Sequence, residues 1–221
     1  MKKSDIEAID NLKYEKELKS DGYKVIVGTD EAGRGPLVGP VVAGACYIPD
    51  GFKLDGLTDS KKLTEKKREE MYNYITQNTI YGVGIVSPKE IDKINIYEAS
   101  RKAMKIAINK VRSQIDVDYV LTDAMPIELD IPVKPIIKGD LLSMSIAAAS
   151  VIAKVARDHM MVELDRKYPE YGFKSHKGYP TRKHYDALNK YGLIDGYRLT
   201  YGPVKKILSG EKLWKFTLHV K

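Results

Sequence analysis

The chain has 221 residues, 43% of them apolar and 30% charged, which is enough for one well-buried core with appendages and ordinary for a water-soluble protein. No apolar run approaches the ~20 residues of a membrane helix, and the N-terminus, MKKSDIEAIDNL, turns acidic instead of entering an apolar signal core. A single cysteine, Cys46, excludes an internal disulfide and fits a buried thiol in a reducing cytoplasm. Net charge is +7, yet Lys174 to Lys221 holds 11 Lys and Arg against 3 Asp and Glu, so the preceding 173 residues carry one net negative charge. A basic, tyrosine-bearing tail on a near-neutral body suits a polyanionic partner, although a solvated lysine-rich surface has the same composition.

Ser4 with Glu7 forms a capping-box pattern that predicts a helix through about Lys19, packed on the body through Ile6, Ile9 and Leu12. Strands are expected near 23–29, 39–48 and 79–86. Between the last two, a loop leads into a helix capped near Thr64. Ser87-Pro88 opens a short helix, and Tyr97 to Arg112 forms a longer one. Further strands follow at 118–122 and 133–137. SMSIAAASVIAKVARDHMMVEL then reads as a helix, apolar nearly all round and therefore buried. The boundary falls near Lys167 to Gly172, where YPEYG breaks that helix. Residues 1–170 would form a core with its N-terminal helix, and 171–221 a basic, helical substrate-binding region.

The most informative stretch is VIVGTDEAGRGPLVGPVVAGACYI, Val25 to Ile48. A β-branched run ends in adjacent carboxylates, Asp30 and Glu31, followed by the turn Gly33, Arg34, Gly35. Neighbouring strand residues point to opposite faces, so the two acids share a site only if the strand ends or bulges there. Such acids beside a backbone-accessible turn suit a divalent cation and a phosphate ester. Asp123 ends a second strand, YVLTDAMP, where a turn-initiating role is the simpler explanation. Asp158 lies late in the apolar helix, where an i,i+4 ion pair with Lys154 is simpler. Zinc is disfavoured, because one Cys and four scattered His give no ligand spacing.

DEAGRGPLVGPV resembles the opening motif of the type 2 ribonucleases H, and Gly-Arg-Gly is closer to ribonuclease HII than to ribonuclease HIII. DSKKL, YVLTDA, KGDLLSMSIAAASVIAKVARD and YGFKSHKGYPTRKHYDAL are similar to further blocks of that family, in order from about Tyr23 to Val204. The resemblance implies an α/β fold with a mixed five-stranded sheet flanked by helices, and a C-terminal helical subdomain. It implies four metal-binding carboxylates at Asp30, Glu31, Asp123 and Asp158, with Asp140 as a rival ligand or a helix cap. Asp30 would bridge two Mg²⁺ or Mn²⁺ ions, Asp158 would hold the water-activating one, and Glu31 with Asp123 the other. Ala124, Met125 and Leu141 depart from the usual loops without replacing a carboxylate.

Gly33, Arg34 and Gly35 are implied to read a ribose 2′-hydroxyl, and Tyr179 to stack on a sugar near the junction. Tyr179 is otherwise a turn aromatic before Pro180. Lys177, Arg182 and Lys183 are candidate phosphate contacts or solvated charges; Arg198 is retained from an Arg-rich stretch. Ser60 and Lys61 face substrate or cap a helix. The resemblance implies a monomeric, cytoplasmic endonuclease that removes primers and misincorporated ribonucleotides. It would cut the RNA strand of RNA–DNA hybrids, and cut 5′ of single ribonucleotides in duplex DNA, leaving 5′-phosphate and 3′-hydroxyl ends. Two alternatives stay open: a resolvase-like nuclease of the same fold, and a non-catalytic nucleic-acid-binding module.

Overall fold

The computed structural model describes residues 11–53 and 64–213. Ser4 and Glu7 of the predicted capping box, and Ser60 and Lys61 of DSKKL, lie outside them.

Helix α1 (Lys13–Ser20) precedes β1 (Ile26–Ala32) and β2 (Val41–Tyr47). Next come α2 (Glu65–Asn78), β3 (Ile80–Val86), α3 (Pro88–Arg112), β4 (Tyr119–Asp123) and β5 (Val133–Ile136). The chain continues as α4 (Gly139–Leu142) and α5 (Met144–Lys167), then α6 (Phe173–His176), α7 (Arg182–Tyr191) and α8 (Gly202–Leu208). The sheet runs β3-β2-β1-β4-β5, antiparallel from β3 to β1 and parallel from β1 to β5. All five expected strands form, in a mixed sheet flanked by helices. Thr64 caps α2 as expected, its side chain accepting from the Lys67 amide. The two helices anticipated after Ser87 are one element broken at Asn95 (φ 66°), whose Oδ1 accepts the amides of Tyr97 and Glu98 and so caps the second segment.

Strand alternation divides the core. Val27, Ala45 and Val120 face α3, where Ala103, Met104 and Ile108 meet them. Ile26 and Leu121 face Ile146 of α5, and Cys46 packs with Ala148 and Ile152 of α5 and with Met71 and Ile75 of α2. Close approach of α5 depends on Gly44, since a Cβ there would stand 2.3 Å from the Ala149 carbonyl oxygen. Helix α1 docks on this side through Leu18 and through the buried Glu15, whose Oε1 accepts from Ser143 Oγ (2.6 Å) and from Ser145 N and Oγ at the start of α5. An anion at that helix end is favourably placed.

The C-terminal helices share a third cluster with the body. Phe173, Leu188 and Tyr197 pack with Leu37, Val38 and Met161. Backbone bonds sew the turn after β1 to this region: Leu37 N to Gly178 O, Gly39 N to Gly196 O, and Arg198 N to Leu37 O, each 2.9 Å. Among the described residues no helix is long and apolar enough to cross a membrane.

Candidate active site

The first strand does not end at its acids. Pairing with β2 continues through Asp30↔Gly44, Glu31↔Ala43 and Ala32↔Val42, while the parallel pairing with β4 stops at Thr29↔Thr122. The opening is therefore on the β4 side, where Asp123 is the last residue of its strand. Functional groups in α/β sheets gather at such carboxyl ends of parallel strands. Asp30, Glu31 and Asp123 line one cleft with Gly33, Arg34, Gly35, Ser150, Lys154 and Tyr179.

These three acids burden one another. Burial raises the Asp30 carboxyl well above its ordinary range, and the charges of Glu31 and Asp123 raise it further, against hydrogen bonds from Ser150 and the Glu31 amide. Burial also raises Glu31, and Arg34 opposes it: Arg34 Nη1 lies 3.2 Å from Glu31 Oε1. The other oxygen, Glu31 Oε2, is buried without a hydrogen-bond partner. Asp123 Oδ1 accepts from the Gly139 amide at 2.8 Å, which ties the segment after β5 to the end of β4.

Asp158, expected with these acids, is not among the residues that line the cleft. Its Oδ1 accepts from Lys154 Nζ at 2.6 Å, and Oδ2 lies 3.9 Å from Arg68 Nη1 on α2. It stands two helical turns beyond Ser150, about 12 Å of helix rise. The i,i+4 ion pair describes it. Asp140 has the opposite history. It does not cap α4, whose N-cap is Lys138 (φ 58°); it sits inside the first turn, 8% exposed, one residue after the amide bound to Asp123.

Arg198 and Lys177, both expected at the substrate, are buried and bonded to the protein. Arg198 is fully buried and donates to carbonyls: Nε to Gly39 O (3.0 Å), Nη1 to Arg34 O (2.8 Å) and Nη2 to Gly33 O (2.6 Å). The Tyr201 hydroxyl donates to Arg34 O as well. Lys177, in the left-handed region, is 9% exposed and directs Nζ to Glu65 Oε1. Arg157 mirrors Arg198, donating to the carbonyls of Pro40, Lys177 and Val38. Two buried guanidiniums thus clamp the turn after β1 through main-chain oxygens. Burial, aided by the charge of Arg198, lowers Arg157 to about 10. Nothing in the sequence distinguishes these arginines from surface ones. Ser150 and Lys154, also missed, are discoverable by stepping back in fours from Asp158 along one helix face.

Tyr179 lines the cleft beside the turn: it is 42% exposed, and a Cβ on Gly35 would meet its ring at 3.4 Å. Its main chain is held from behind. The Tyr179 carbonyl can only accept, so His184 Nδ1 carries a proton (2.9 Å) and His184 Nε2 accepts from the Tyr197 hydroxyl (2.7 Å). His176 stacks on His184, with centroids 4.4 Å apart, and its Nδ1 accepts from the Gly178 amide. Burial depresses His184 to about 4 from 6.5. The fold therefore prefers neutral imidazole. Its contribution is intact above pH 6.5 and is lost as pH falls toward 4, worth up to about 3 kcal/mol. Denaturant titrations should show this loss, and His184→Gln should flatten it.

The family model for ribonuclease HII matches residues 27–201, spanning the sheet, the cleft and the C-terminal helices. The chain belongs to the ribonuclease HII family. It is 54% identical over 201 residues to ribonuclease HII of Acholeplasma laidlawii, covering 90% of this chain and 98% of that one. It is 48% identical to ribonuclease HII of Bacillus cytotoxicus, covering 90% and 76%. Among solved structures, the ribonuclease H2 of Pyrococcus horikoshii aligns with a TM-score of 0.68 at 27% identity, over 85% of this chain and 98% of that one. Bst-RNase HIII in complex with Mn²⁺ shares the fold, with a TM-score of 0.64 at 18% identity over 85% and 70%. The protein is a ribonuclease H enzyme, and its substrates are nucleic acids.

Proposed function

We propose that the enzyme is a divalent-metal-dependent endonuclease that cuts the RNA strand of RNA–DNA hybrids and cuts 5′ of single ribonucleotides in duplex DNA. It would act as a cytoplasmic monomer and leave 5′-phosphate and 3′-hydroxyl ends. The observation that carries the metal is the buried, unpartnered Oε2 of Glu31 beside Asp30, whose carboxyl is raised by burial and by the charges of Glu31 and Asp123. An all-oxygen, anionic donor set suits Mg²⁺ or Mn²⁺. Arg34 engages only Oε1 of Glu31, which leaves Oε2 as the oxygen available to a cation.

The metal-binding set is Asp30, Glu31, Asp123 and Asp140. Asp140 replaces Asp158 because its backbone neighbour is bonded to Asp123, whereas Asp158 is engaged by Lys154 and Arg68. When bound, divalent ions acidify an attacking water and stabilise the departing 3′ oxygen. The chain's own part is positional. Ser150 and the Glu31 amide fix Asp30, and the Gly139 amide fixes Asp123. Arg198 and Tyr201 occupy the Gly33 and Arg34 carbonyls from inside, leaving the outer side of the turn to meet a ribose 2′-hydroxyl, which both donates and accepts. Tyr179, over Gly35, offers its ring to the neighbouring sugar.

The test is a DNA duplex carrying one ribonucleotide and its all-DNA twin, each with Mg²⁺, Mn²⁺ or chelator, with the cut mapped to the nucleotide. Cleavage only of the first, only with metal and on the 5′ side of the ribonucleotide, is expected. Cutting of both duplexes would indicate a resolvase-like enzyme.

A further inference from the structure

Among the described residues, Lys154 is one of two cations lining the cleft, and the other, Arg34, already directs a guanidinium nitrogen to Glu31. Ser150, Lys154 and Asp158 lie at successive i,i+4 steps on one face of α5. The first hydrogen-bonds Asp30 and the last carries an ion pair, so the lysine is held between the acidic centre and a fixed counter-charge. An ammonium has three donors, and the 2.6 Å contact with Asp158 Oδ1 takes one. Asp158 is in turn backed by Arg68 across the α2–α5 interface, which restricts where the lysine head can go. A cleft walled by three carboxylates repels a polyanion, and a cation on its wall offsets that repulsion where a phosphate must enter.

We propose that Lys154 binds a backbone phosphate of the nucleic acid in the cleft, with Asp158 as the positioning residue that aims its ammonium. The inference rests on the nuclease reading above and assigns that site a phosphate contact. It also gives Asp158 a task other than metal binding.

The experiment measures binding of an 18-base-pair RNA–DNA hybrid in chelator across a potassium chloride series, alongside steady-state cleavage with Mg²⁺. Each phosphate contact contributes about −0.9 to the slope of log K against log salt. Lys154→Met should make that slope shallower by about one and raise KM about tenfold with kcat nearly unchanged. Lys154→Arg should restore the slope. Asp158→Asn should keep the slope and raise KM about threefold. Melting curves check that each variant folds. An unchanged slope in folded Lys154→Met overturns the phosphate contact. A loss of kcat of about a thousandfold in Asp158→Asn overturns its positioning role and returns it to the metal set. Failure of the wild type to cut any hybrid is a different outcome: it defeats the nuclease reading itself.

Discussion

Asp30→Asn is expected to lower kcat by three orders of magnitude or more, on the order of 4 kcal/mol, while making the metal-free protein more stable. The two effects have one origin. Asp30 is nearly buried and its charge is opposed by burial, Glu31 and Asp123. A carboxyl whose proton affinity is raised by folding stabilises the native state below the unfolded pKa, and that contribution disappears as pH rises through the folded one. At neutral pH the ionised group is therefore a liability unless a cation offsets it. Asparagine removes the charge and keeps the shape. In chelator, thermal unfolding should shift upward by about 3 °C or more. Added Mg²⁺ should stabilise the wild type by mass action and the variant less. A variant that melts lower in chelator would show that Asp30 is held as an ordinary structural carboxylate.

Gly33→Ala is expected to cost at least about 3 kcal/mol of stability and to reduce activity a hundredfold or more. Gly33 has φ +95°, and a Cβ there would lie 2.0 Å from Arg157 Nε and 2.3 Å from its Cδ. Arg157 cannot yield, because its three nitrogens hold the carbonyls of Pro40, Lys177 and Val38. Displacing it would leave buried acceptors unsatisfied in both the turn and the C-terminal region. Denaturant unfolding and steady-state kinetics on the same preparation measure both losses. Wild-type stability would mean that the clamp is looser than its hydrogen bonds indicate.

What could be read from the sequence follows physical locality. Apolar, β-branched runs located β1, β2 and β3, and the apolar circumference of 144–153 foretold a buried α5. Asp30 and Glu31 stood out beside their glycine turn, whereas Asp123 was joined to them only by the family resemblance. The choice between Asp140 and Asp158 was not legible. Both belong to KGDLLSMSIAAASVIAKVARD, and what distinguishes them is long-range: the Gly139 amide next to Asp140 bonds Asp123 across 16 residues, while Asp158 pairs with Lys154. Arg198 illustrates the same limit. A guanidinium paired with carbonyls 159 to 165 residues away has the same local sequence as one that meets phosphate. Long-range main-chain contacts leave no periodicity behind.

Calorimetric titration of Mn²⁺ into the wild type, Asp140→Asn and Asp158→Asn tests the carboxylate set most directly. Binding should be lost in Asp140→Asn and retained in Asp158→Asn, within a few-fold of the wild type. Loss in Asp158→Asn with binding intact in Asp140→Asn would contradict the proposed metal centre.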